Sequence, residues 1–182
     1  MTDARLPIDV LVRPLAVGDA PALHAAVRAS IASLAQWFPW AHAEYALSDA
    51  ETRISHCVAA RERGEEFAFG IVGADGELLG CVGLNQVNRA HRSANLGYWI
   101  GETHRGRGIA TDAARQVAAT GFGELDLVRI EIVTLPGNAA SQRVAEKLGA
   151  MREGEFRSRL VVRGEPVDAV VFSLVPRDLE RA

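Results

Sequence analysis

Cysteine is scarce: Cys57 and Cys81 are the only two in 182 residues, too few for the disulfide framework of a small secreted domain. Their spacing matches no metal site, and both read as buried structural thiols. No apolar run approaches the roughly 18 residues that a membrane helix requires. Met1 to Pro7 carries no apolar signal core, so the expectation is a soluble, cytoplasmic protein without membrane association. Basic surplus is absent too: 20 Lys and Arg stand against 23 Asp and Glu, a net charge of −3, which argues against a general nucleic-acid binder. The Arg-rich pieces, Arg105/Arg107 and Arg152/Arg157/Arg159/Arg163, are local patches, the second reading best as a solvated strand face. Repeats, low-complexity tracts and long linkers are missing, so residues 1–182 read as one domain, and 48% apolar residues suffice for its core.

The most informative segment present is Arg105-Gly106-Arg107-Gly108-Ile109-Ala110, between a predicted strand, Asn95 to Ile100, and a predicted helix, Thr111 to Phe122. Two glycines let the backbone bend so that an anion can approach its amide hydrogens. The helix behind them adds unpaired N–H groups and the positive end of its dipole. The segment lacks the Gly-Lys-Ser/Thr ending of a triphosphate loop, and Ala110-Thr111 after Gly108 breaks the Gly-x-Gly-x-x-Gly dinucleotide fingerprint. The expected ligand is therefore a nucleotide other than ATP or NAD.

Periodicity and turn residues outline the rest. Asp9 to Leu15 alternates as a strand, and Asp19 is the expected cap of a helix whose apolar positions, Leu23 to Leu34, continue until Pro39. Ser48-Asp49-Ala50-Glu51 has the form of a capping box for a second helix ending at Arg63-Gly64. Phe67–Val72 and Leu78–Val87 form a hairpin around Gly73-Ala74-Asp75-Gly76, with Ala94–Ile100 as the next antiparallel strand. Val128–Thr134 is a further strand, Asn138 caps a helix closed by Gly149, and Met151–Val162 with Val167–Val175 make a last hairpin. The sum is an α/β (α+β) domain with a mixed, mostly antiparallel sheet of about seven strands and about four helices.

The pattern Arg105-x-x-Gly108-x-Ala110 resembles the Q/R-x-x-G-x-G/A signature of the GNAT acetyltransferases. Gly97-Tyr98-Trp99-Ile100 before it and Asn138 to Gly149 after it resemble the RimJ/RimL-type branch, as do Arg13-Pro14-Leu15, Trp37-Phe38-Pro39-Trp40 and Asp168 before Phe172-Ser173-Leu174. The resemblance implies the GNAT fold and acetyl-CoA as cosubstrate without a metal. Its pyrophosphate would rest on the amides of Arg105, Gly106, Arg107, Gly108, Ile109 and Ala110. It also implies that Tyr98-Trp99-Ile100 and Ile130 to Thr134 wall a slot for the pantetheine arm. Trp99 fits core packing equally well. Asn138 would contact the pantetheine while also capping its helix, and Ser141 would hand a proton to the departing thiolate. Trp37, Phe38 and Trp40 would wall the acceptor pocket; His42 and Glu44, just past them in sequence, are further candidate bases, expected at the amine entrance. A homodimer joined through sheets or C-terminal hairpins is a further implication.

Transfer from a thioester to an amine needs a neutral nitrogen, a polarised carbonyl and a proton for sulfur. Glu131, mid-strand after the cradle helix, is the candidate base, although strand alternation allows it to face solvent instead. His104 neighbours the cradle and suits anion binding. Where many relatives of the resembled branch carry an acid, this chain has Asn95. An α-amine, with a pKa of about 8, needs less help to become neutral than a lysine at about 10.4. The expected acceptor is therefore a protein N-terminus. The alternatives are a small amine (polyamine, amino acid or aminoglycoside) or, without catalysis, an acyl-CoA-binding module.

Overall fold

The computed structural model describes residues 10–180. The signal-peptide reading of Met1 to Pro7 and the Asp9 start of the first strand lie outside the described residues. Seven strands form one sheet: β1 (Val10–Pro14), β2 (Phe67–Gly73), β3 (Leu78–Asn88), β4 (Ser93–Ile100), β5 (Arg129–Thr134), β6 (Met151–Val162) and β7 (Glu165–Leu174). Their spatial order is β1-β2-β3-β4-β5-β7-β6, and every pairing is antiparallel except β4 with β5. Four longer helices accompany it: α1 (Ala20–Ala29), α3 (Leu47–Arg63), α4 (Ile109–Gly123) and α5 (Ala139–Lys147). Two single-turn helices, α2 (Ile31–Leu34) and α6 (Pro176–Leu179), raise the number above the four expected.

The first helix departs from its predicted course. Its apolar spacing continues past residue 30, but Ser30 leaves the helical conformation (φ −119°, ψ 11°), and the chain restarts as α2. Asp19 holds the N-cap position of α1 as expected but makes no side-chain cap bond; its carboxylate accepts instead from Ala16 N at 2.8 Å and from Arg13 Nη1 and Nη2, each at 2.7 Å. In α3 the acid that reaches back is Asp49, accepting from Ala46 N at 2.8 Å, so the helix starts a residue before the expected box. Gly64 ends it at φ 65°, the left-handed cap that its position predicts.

The sheet separates two cores. On one face Leu84, Leu96, Ile130, Ile132 and Phe172 pack against α4 and α5; on the other Val72 and Leu78 meet Leu23, Val27 and Ile54 of α1 and α3. Alternation along β4 divides its side chains, Tyr98 packing toward α4 and Trp99 toward α1 and α3.

One irregularity positions everything that follows. The parallel ladder between β4 and β5 joins Ser93, Ala94 and Asn95 to Arg129, Ile130 and Glu131 and goes no further. Beyond Asn95 the strands part, while β5 keeps its ladder with β7 through Thr134. Ile130 therefore belongs to the paired, fully buried part of β5. The open wall begins only at Ile132, a correction to the slot expected from Ile130.

Candidate active site

A cleft of about 620 Å³ fills the opening between β4 and β5. Leu96 to Ile100 form one wall, Ile132 to Leu135 the other, and the turn from His104 to Ala110 closes one end. In that turn Gly106 (φ 76°) and Gly108 (φ 84°) adopt the left-handed conformation that favours glycine. Thr111 N and Asp112 N bond to Gly108 O, opening α4. Among the described residues, the five preceding amides, Gly106 to Ala110, have no hydrogen-bond acceptor in the protein. Consecutive free N–H groups at a helix start form an anion cradle. Arg107 and, from α5, Arg143 and Lys147 add positive charge to the same cleft. Sequence reasoning missed the latter two; their four-residue spacing along α5, which puts both on one helix face, was the available signal.

The Arg105 side chain does a different job from its backbone. Nη2 donates to Ser33 Oγ at 3.1 Å and Nε to Ile100 O at 3.4 Å, while Ser30 Oγ accepts from Glu102 N at 3.0 Å. The cradle is thus tied to the α1–α2 junction. His104, also lining the cleft, contacts Glu77 Oε1 through Nε2 at 3.3 Å.

Across the cleft, Asn138 Oδ1 accepts from Ser141 N at 3.1 Å, the cap that its position predicts. Tyr98 reaches over from β4, its hydroxyl 2.9 Å from Ser141 O and 3.2 Å from Ser141 Oγ. The phenol has one proton, and the serine carbonyl can only accept it. The Oγ contact is then a donation from Ser141 to the Tyr98 oxygen. Burial pushes the Tyr98 phenol up to about 12, so it stays protonated at neutral pH.

A second cavity, about 980 Å³, lies between the sheet and α1 and α3. Tyr45, Asp49, Arg53, His56 and Glu66, none of them singled out by sequence, border it. Arg53 pairs with Glu66, and His56 Nε2 lies 3.5 Å from the same carboxylate. Six residues border both cavities: Phe38, Trp40, Asn85, Gly97, Tyr98 and Trp99. Trp40 sits in an aromatic group, its ring centroid 5.3 Å from Phe38, 6.2 Å from Tyr45 and 6.3 Å from Trp99.

The expected site residues thus fall into separate groups. Tyr98, Trp99, Ile100, Arg105 to Ala110, Asn138 and Ser141 converge on the first cleft. Trp37 borders only that cleft, His42 only the second cavity, and Trp40 both. Glu131 lines neither: its Oε1 accepts from Arg129 at 3.0 Å and its Oε2 from Arg159 at 3.3 Å. The two guanidinium groups occupy the carboxylate that was the candidate base.

Known proteins resemble this chain in sequence and in fold. Residues 9–151 match the Acetyltransferase (GNAT) domain model. The chain is 39% identical over 106 residues to the putative ribosomal N-acetyltransferase YdaF of Bacillus subtilis, spanning 58% of each protein. It is 35% identical over 176 residues to the probable N-acetyltransferase YjcK of the same organism, covering 94% of this chain and 97% of the relative. Mycobacterium smegmatis RimJ in complex with CoA-disulfide superimposes with a TM-score of 0.84 at 29% identity, over 93% of this chain and 83% of that one. With a split parallel pair, a glycine cradle and a matching family model over most of its length, the chain belongs to the GNAT acetyltransferase family.

Proposed function

We propose that the protein transfers the acetyl group of acetyl-CoA to a primary amine, with a protein N-terminal α-amine as acceptor. The observation that carries this reading is the row of free amides from Gly106 to Ala110 at the mouth of the divided β4–β5 pair. Coenzyme A fits that site: its pyrophosphate suits the amides and Arg107, and unpaired strand groups can bond its pantetheine amides as an added strand would. When bound, it supplies an activated thioester. The second cavity leads the amine to the six residues that border both spaces, where the nitrogen meets the acyl carbon.

At that meeting point a carbon–nitrogen bond forms and the carbon–sulfur bond breaks. The amine releases one proton to solvent, and Ser141 Oγ gives one to sulfur and recovers it from solvent. No enzyme nucleophile is required. At pH 7 about a tenth of an α-amine with a pKa of about 8 is already neutral. Trp40, Phe38 and Trp99 enclose the acyl end, which favours a short chain such as acetyl. The second cavity, at about 980 Å³, has room for a chain terminus.

A thiol-release assay with acetyl-CoA, run on pooled N-terminal peptides and on small amines, tests the reading. Turnover on peptides is expected. Turnover confined to small amines would reassign the acceptor, and intact coenzyme binding without turnover on either set would make the protein an acyl-CoA-binding module.

A further inference from the structure

Asn85 of β3 and Asn95 of β4 stand opposite each other in the antiparallel ladder. Asn95 Nδ2 donates to Asn85 Oδ1 at 3.0 Å. Asn95 Oδ1 is buried and has no partner; among the described residues the only other such side-chain atom is Arg107 Nε, in the anion cradle. Leaving a buried acceptor unpaired costs about 1–3 kcal/mol, and folded proteins tolerate few such atoms without a use for them. Both orphans belong to residues lining the same cleft, one at its phosphate end and one where β4 and β5 separate. Gly97, two residues along, has no side chain, and a Cβ placed there would lie 3.6 Å from Asn85 Nδ2. Asn85 borders both cavities and Asn95 the first, so the amide pair lies beside the place where they join.

We infer that the Asn85–Asn95 pair receives the acceptor nitrogen, Asn95 Oδ1 accepting one N–H of a neutral primary amine so that its lone pair faces the thioester. This inference rests on the proposed assignment of the two cavities. An amide oxygen orients a nitrogen but does not deprotonate it, so the amine must arrive neutral. The groups around the pair supply no substitute. Glu131, paired in register with Asn95, is held by Arg129 and Arg159, and Arg129 also binds Glu153. Burial pushes Cys81, on β3, and Tyr98, on β4, up to about 12. His42, Tyr45, Asp49, His56, Glu65 and the Arg53–Glu66 pair border the second cavity but not the first, and His104 borders the first but not the second, so none of them borders the junction. Selection for an α-amine over a lysine amine then follows from their pKa values of about 8 and 10.4, worth roughly two-hundredfold at pH 7.

Two measurements on the full chain decide the matter. The first is kcat/KM against pH for an alanine-first peptide and its fluoroalanine counterpart, whose α-amine is less basic. The acid limb should move with the acceptor's own pKa; a limb at the same pH for both peptides would identify an enzyme base and overturn the inference. The second is calorimetric binding of peptide to the protein saturated with coenzyme A. Asn95→Leu should weaken peptide binding about five- to tenfold while leaving coenzyme affinity unchanged. Peptide affinity within twofold of wild type would also overturn it. Asn95→Asp, with Asn85 able to turn its NH2 toward the new carboxylate, should move the acid limb below the acceptor's pKa. A limb that stays in place would again count against the pair. If the wild type acetylates no amine, the functional proposal fails first and the inference with it.

Discussion

Ser141 and Tyr98 illustrate how much depends on one hydroxyl. Because Tyr98 spends its proton on the Ser141 carbonyl, its oxygen is left as an acceptor 3.2 Å from the serine hydroxyl, which turns from it to give its proton to sulfur in the proposed reaction. Ser141→Ala is expected to lower kcat by about a hundredfold, in the range of a lost proton donor, with coenzyme affinity nearly unchanged. Steady-state turnover beside coenzyme titration checks this, and equal turnover would remove Ser141 from the reaction. Tyr98→Phe should lower kcat less, and the double variant should be no worse than Ser141→Ala, since the tyrosine acts through the serine. At this scale the sequence was readable for Asn138 and Ser141, whose places at a helix start are set by local spacing. It was unreadable for Glu131, because which charges surround a strand residue depends on β6, more than twenty positions away. The Asn85–Asn95 contact was hidden for the same reason, being created by strand register.

Among elements, the turn between β4 and α4 has the tightest conformational demand. Gly108 at φ 84° is strained for any β-branched residue, although a Cβ would meet only Asp112 Oδ2, at 3.9 Å. Gly108→Val should therefore act through the backbone, costing on the order of 1–3 kcal/mol and reaiming the amides that follow. The expected result is at least a tenfold weaker coenzyme affinity by calorimetry, with a cooperative thermal transition preserved. Unchanged affinity would mean that the cradle has been misassigned. Hairpins and glycine turns were legible in the sequence because their signals lie within a few residues. The break at Ser30 was not: the apolar period runs through it, and the contact made there is tertiary, Ser30 Oγ accepting from Glu102 N, 72 positions on. The separation of β4 from β5 was likewise expected only through family resemblance, because both strands remain good strand sequence.

For the whole molecule, the apolar cores on the two faces of the sheet and an ion-pair group contribute to stability. Phe172, fully buried near the C-terminal end of β7, pairs with β5 and β6 and packs into the core on the α4 side of the sheet. Phe172→Ala should destabilise the protein by about 3–5 kcal/mol in denaturant unfolding, the cost of a large core cavity. Glu153 accepts from Arg129 and from Ser173 Oγ at 2.7 Å, and chiefly the arginine bonds hold its carboxyl at about 2. A depressed carboxylate stabilises above its ordinary value of 4.5, and that contribution is lost as pH falls toward 2. Glu153→Gln should accordingly flatten the acid side of the stability curve, measured as melting temperature from pH 6 to pH 2. Finally, Ser30 and Ser33 fasten the coenzyme turn to the same short break that leads into Phe38 and Trp40. If acetyl-CoA seats its diphosphate in this turn, those bonds tie its binding to the chain that carries the aromatic residues, so the expected order is nucleotide before amine, checked by free coenzyme inhibiting competitively against acetyl-CoA alone.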